Sequence, residues 1–115
     1  KLIMKFAIGL ENGPLANHLL KETKTTDNIP TTFRLGMAKA LVPVQDICSQ
    51  QKDATYLGID TSLNPALDRP DGSVAQSLEC LDEVRDAFGG PGSLAAAALI
   101  TTSLQSLPDI KTVGY

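Results

Sequence analysis

The sequence predicts an α/β chain built on a parallel sheet, in the order strand, helix, helix, strand, helix, helix, strand. Three observations lead there. Short strand-like segments at residues 5–10, 55–59 and 110–113 are bounded by turn-forming residues, as buried strands are. Longer stretches with apolar residues at three- and four-residue steps lie between them. Helical connections between buried strands favour parallel pairing through right-handed crossovers.

Each element has its own signal. Lys-Phe-Ala-Ile-Gly-Leu at 5–10 does not alternate apolar with polar, the pattern of a strand buried on both faces. Glu11-Asn12-Gly13-Pro14 turns the chain into a short helix over 14–21, where Leu15, His18 and Leu19 share a face. Residues 22–30 are polar and without period, which predicts a surface loop. Thr31 or Thr32 then caps a long helix to about Gln51, with Phe33, Met37, Leu41, Val44 and Cys48 as its apolar stripe and Pro43 as an expected kink or break. Residues 55–63, Thr-Tyr-Leu-Gly-Ile-Asp-Thr-Ser-Leu, form the clearest strand and its exit, and Asn64-Pro65 opens a loop to Gly72. Ser73, with Gln76 three residues on, reads as a capping box for a helix with Val74, Leu78, Leu81, Val84 and Phe88 as its buried face. Gly89-Gly90-Pro91-Gly92 ends that helix, and Ser93 caps an Ala-rich one to about Leu107, expected to pack closely on more than one side. Pro108 stops it before the last strand.

The totals bound the function. A chain of 115 residues with 43% hydrophobic content and a net charge of −3 is predicted to be globular and holds one core at most. Mixed charge excludes a nucleic-acid surface, which needs clustered Lys and Arg. No apolar run approaches the ~20 residues of a membrane span. Residues 2–10, broken by Lys5 and Gly9, are no signal peptide. Cys48 and Cys80 fall on separate helices and read as two reduced thiols, which with the absence of a leader predicts a cytoplasmic protein. One His and no Cys-x-x-Cys argue against structural zinc. The chain begins at Lys1 without Met and stops at Tyr115 in a strand-like segment. Residues 1–115 are therefore expected to be one partial domain, an internal segment of a longer protein.

Candidate chemistry gathers where strands run out. Asp60 follows the strand around Gly58-Ile59, with Ser62 beside it, and Glu11 follows the first strand. In a parallel sheet both carboxylates emerge at one edge, where they can act as acid and base or hold a divalent cation. The competing account is that Asp60 accepts backbone N–H bonds in its own turn and Glu11 is solvated. The amides of Gly92 and Ser93, at a helix start, suit an anion, although a C-cap followed by an N-cap explains the same residues. His18 reads as a packing residue and the two thiols as inert.

Tyr56-Leu-Gly-Ile-Asp-Thr-Ser-Leu-Asn-Pro, Gly72-Ser-Val-Ala and Gly89-Gly-Pro-Gly-Ser-Leu-Ala-Ala-Ala-Ala-Leu-Ile-Thr resemble the family known as domain of unknown function 711, and Phe6-Ala-Ile-Gly-Leu-Glu fits it too. The resemblance implies a section of a parallel-stranded α/β barrel similar to pyruvate formate-lyase and other glycyl radical enzymes, in a chain several times longer. It places Asp60 and Ser62 in a strand-end motif and Gly92 and Ser93 in a helix-start motif. Radical chemistry does not carry over. Thr112-Val113-Gly114-Tyr115 only echoes a glycyl radical loop, and neighbouring Cys residues are missing.

The expectation is thus a cytoplasmic barrel section that binds a small anionic metabolite at its strand ends. Asp60 and Glu11 are its acid/base or cation-holding groups, and Ser62, Gly92 and Ser93 its ligand-binding groups. The metal and cofactor are left open, and so is whether the chain is an enzyme. The rest of its own longer chain and further copies of itself are the other expected partners. The alternative is a non-catalytic structural or assembly module, or a fragment without activity of its own.

Overall fold

The computed structural model describes residues 2–66 and 68–114. Tyr115, the last residue of the glycyl-radical echo, lies outside them. The first apolar run forms β1 (Met4–Gly9). Helix α1 (Gly13–Thr23) follows, with Pro14 in its first turn, where a missing N–H leaves no bond unmade. A 3₁₀ turn (Thr26–Asn28) and a π-helical turn (Ile29–Phe33) lead directly into α2 (Arg34–Ser49). Next come β2 (Ala54–Asp60), a 3₁₀ turn (Pro70–Gly72), α3 (Val74–Leu78), α4 (Pro91–Gln105) and β3 (Thr112–Val113).

The result is a mixed α/β fold around a three-stranded sheet of order β1-β2-β3, parallel throughout as predicted. Ile8 lies opposite Ile59 and Gly9 opposite Asp60, while Ile59 and Asp60 also face Thr112 and Val113. One irregularity interrupts the register. Phe6 pairs with Tyr56 but Ala7 with Gly58, so Leu57 is an extra residue on β2.

The strands are not buried on both faces. Along β1, Phe6 and Ile8 are half-buried, while Lys5, Ala7 and Gly9 are exposed. Helix α2 packs on β2 and α4 on β3, while α1 and α3 pack on one another and on the neighbouring helices. The core consequently sits mostly among helices. Leu20, Phe33, Met37, Ile29, Leu81 and Leu104 are fully enclosed there, and Ile59 is the sheet's main contribution.

Several helix boundaries differ from expectation. The chain around Thr31 is already helical, because the π turn carries Ile29 and Phe33 into the core, and the Thr31 hydroxyl donates to the Asn28 carbonyl. The 22–30 segment is only partly surface: Thr23 is buried and donates to the Leu19 carbonyl at 2.7 Å. Pro43 is absorbed inside a continuous α2. Ser73 does cap α3, accepting from the Gln76 amide at 3.5 Å, but the helix ends at Leu78. Separate turns then carry Leu81 and Val84 inward and leave Phe88 51% exposed. Helix α4 buries one face, through Ala96, Ile100 and Leu104, while Leu94 remains 80% exposed.

Candidate functional site

Register brings the strand ends together. Because Gly9 pairs with Asp60, the segments that leave β1 and β2 start side by side. The Asp60 carboxylate, partly exposed, folds back on its own turn: Oδ1 accepts the Ser62 amide at 2.9 Å and the Ser62 hydroxyl. The hydroxyl bond first, and the amide bond second, hold the Asp60 carboxyl below the usual carboxylate range. A carboxylate so stabilised suits accepting a hydrogen bond or holding a cation better than donating a proton. Gly114 lies close over it: a Cβ there would sit 2.5 Å from Oδ1.

Thr61 turns the other way. It is fully buried, its hydroxyl donates to the Leu104 carbonyl at 3.2 Å, and its carbonyl accepts from Asn12 Nδ2 at 3.3 Å. The exit of β2 is thereby tied to the end of α4 and to the turn after β1. Asn12 Oδ1 is buried without a partner among the described residues.

Glu11 opens into a cleft of about 320 Å³ between the loops that follow β1 and β2. Glu11, Gly13 and Pro14 line one side, and Asn64, Pro65, Ala66, Asp68, Arg69 and Gly72 the other. The two loops touch backbone to backbone, since a Cβ on Gly13 would lie 2.5 Å from the Gly72 carbonyl oxygen. Arg69 binds Asp71 with both arms, Nε to Oδ1 and Nη2 to Oδ2, each at 2.6 Å. The Arg69 fork holds the Asp71 carboxyl below its ordinary range. The cleft lining does not include Asp60, so Glu11 and Asp60 share a sheet edge without facing into one pocket.

Gly92 and Ser93 are placed elsewhere. The helix starts earlier than expected, at Pro91 with Gly90 as its cap, and Ser93 lies inside the first turn. Its amide bonds the Gly90 carbonyl and its hydroxyl accepts the Gly89 amide at 2.9 Å. The Glu83 carbonyl oxygen closes over Gly92, 2.8 Å from where a Cβ would be. Leu104, which Thr61 touches, is eleven residues further along α4, about 16 Å at the rise of a helix. These amides are therefore not brought to Asp60.

His18, expected to pack, is exposed and pairs with Glu22 at 3.3 Å. Cys48 and Cys80 are both free thiols, and burial raises Cys80 above its ordinary range. Among the described residues no three His, Cys, Asp or Glu side chains gather as a metal site. Asn12, Asp68 and Arg69 escaped the sequence reading. Asn12 meets Thr61, 49 residues on, and Asp68 and Arg69 face Glu11 across the cleft, through strand adjacency that no local pattern announces. No helix among the described residues is long and apolar enough to cross a membrane.

Residues 2–115 match the profile of a family described as "Uncharacterised ACR (DUF711)". No curated protein and no solved structure matches the chain.

Proposed function

The chain belongs to the uncharacterised DUF711 family, and we propose that it is a cytoplasmic section of a longer α/β-barrel protein that binds a small anionic metabolite at its strand ends. The observation that carries this reading is the cleft beyond β1 and β2, where open parallel sheets receive their ligands. Its 320 Å³ falls within the size range of small-molecule sites.

In this reading the ligand's anionic group meets the first turn of α1 and the Arg69 nitrogens not engaged by Asp71. Glu11 serves as acid or base beside it. Asp60, held ionised at the same sheet edge but outside the cleft, holds a cation there, with Ser62 fixing its direction. The test is thermal shift and calorimetric titration of the full-length protein with a panel of small carboxylates and phosphate esters. The expected result is a ligand that raises the melting temperature, with the rise lost in Arg69→Ala and reduced in Glu11→Gln. An equal rise in both variants, or ligand density remote from the cleft, overturns the reading.

The two hydrogen bonds from Ser62 also favour a second reading, in which Asp60 is turn chemistry in a non-catalytic assembly module. Asp60→Asn separates the two. A large drop in melting temperature with ligand response intact favours the module, and an unchanged melting temperature with lost response favours the site.

A further inference from the structure

A strand that alternated regularly from Tyr56 would place Gly58, Asp60 and Tyr56 on one face. The protein does otherwise. Tyr56 packs against the core, yet Ile59, three residues on, is fully buried in that same core, and Thr61 follows it inward. Ala54 and Tyr56 are half-buried between the exposed Thr55 and Leu57, whereas Gly58 and Ile59 are both buried and Thr61 is buried after them, so the alternation shifts at the extra residue Leu57. From that point on, parity is reversed. Asp60 is carried to the sheet's other face, beside Gly9, whose missing Cβ would meet nothing within 4 Å.

Gly58 is what the irregularity requires. Its φ is +141°, a conformation that side chains rarely adopt. A Cβ there would also stand 2.7 Å from the Lys111 carbonyl oxygen, which accepts the Ile59 amide at 2.8 Å and so joins β3 to β2. Irregularities of this kind recur beside functional sites, where they re-aim a side chain.

We infer that the Leu57-Gly58 bulge is the positioning device of the Asp60 site: it turns the carboxylate onto the open face of the sheet while Ile59 and Thr61 stay in the core. Gly58 is a positioning residue, and Gly114, close over the carboxylate, is the second glycine that this placement needs. The inference rests on the proposed reading for the word site. The direction of Asp60 is a separate matter and is measured separately.

The experiment follows the Asp60 carboxyl by carbon-13 NMR titration in the full-length protein. Four chains are compared: wild type, Gly58→Ala, a Leu57 deletion, and the deletion combined with Gly58→Ala. Removing the extra residue makes a regular strand that again sends Ile59 inward and Asp60 outward, so the deletion is expected to keep the wild-type titration. Gly58→Ala is expected to move the midpoint upward into the ordinary carboxylate range as the Ser62 turn is lost. Combined with the deletion, the same substitution is expected to return the midpoint to its wild-type position. If Gly58→Ala fails to fold, recovery of fold and titration in the combined variant supports the inference, and no recovery overturns it. A folded Gly58→Ala with an unmoved Asp60 midpoint also overturns it. These titrations need no ligand, so a protein that binds nothing defeats the proposed function and leaves the positioning result standing.

Discussion

Asp60 and Ser62 make a local unit whose energetics have a definite sign. Hydrogen bonds from Ser62 lower the folded-state value of the Asp60 carboxyl, and those from Arg69 do the same for Asp71. For Glu83, burial acts upward, but its backbone bond and the bonds from Thr26 together outweigh it. A group lowered on folding contributes stability that is present above its unfolded value and lost as pH falls through its folded one. Melting temperature is therefore expected to hold from neutral pH down to the carboxylate range and to fall below about pH 4. Asp60→Asn makes that acid limb shallower by a small amount, because the group is partly exposed and its bonds are screened. Differential scanning calorimetry at several pH values checks this, and superimposable limbs for wild type and variant contradict it. The Asp-Thr-Ser turn was legible in the sequence because its partners are two residues apart. Asn12 and Arg69 were not, since what they do depends on which loops the sheet places together.

At the scale of elements, tertiary packing overrides local preference in opposite directions. Pro43 removes one backbone donor from α2 and crowds the preceding turn, yet the helix runs unbroken to Ser49. It is held from both sides: Met37 and Leu41 are buried, and Gln45 accepts the Lys111 amide at 2.6 Å, receives the Tyr56 hydroxyl and donates to the Asp109 carbonyl. A proline inside a helix is about 3 kcal/mol worse than alanine. The entropy it removes from the unfolded chain returns roughly 0.4–1 kcal/mol. Pro43→Ala is therefore expected to stabilise the protein by about 2 kcal/mol, read from the urea midpoint at unchanged slope. A lower midpoint would show that α2 depends on proline at this position. The 73–88 segment went the other way. Its apolar spacing fits one helix, but the chain breaks it after Leu78, and Asp86 takes a φ of +58°. Leu81 and Val84 still reach the core from separate turns, so the pattern of buried residues was readable even where the element was not.

For the whole molecule, the decisive fact is a sheet covered on one face. Met4 is 71% exposed, Leu57 37%, and β1 and β3 stand at the two edges of the sheet. Apolar side chains beside unpaired strand edges promote association. Residues 1–115 expressed alone are expected to self-associate in sedimentation velocity, and Met4→Lys with Leu57→Lys to shift them toward monomer. A wild-type chain that stays monomeric at high concentration contradicts this. The order of elements, the parallel sheet, the strand-end position of Asp60 and the cap at Ser73 were all legible in the residues alone. All of these follow from interactions spanning a few residues or from apolar period. Long-range packing set which strand faces are covered, that Leu57 reverses the alternation of β2, and that Glu11 shares a cleft with Arg69 while Ser93 stands about 16 Å along α4 from Leu104. Those outcomes depend on contacts between distant segments, and one inserted residue in a strand changes every side chain's face without changing the local pattern that announces the strand.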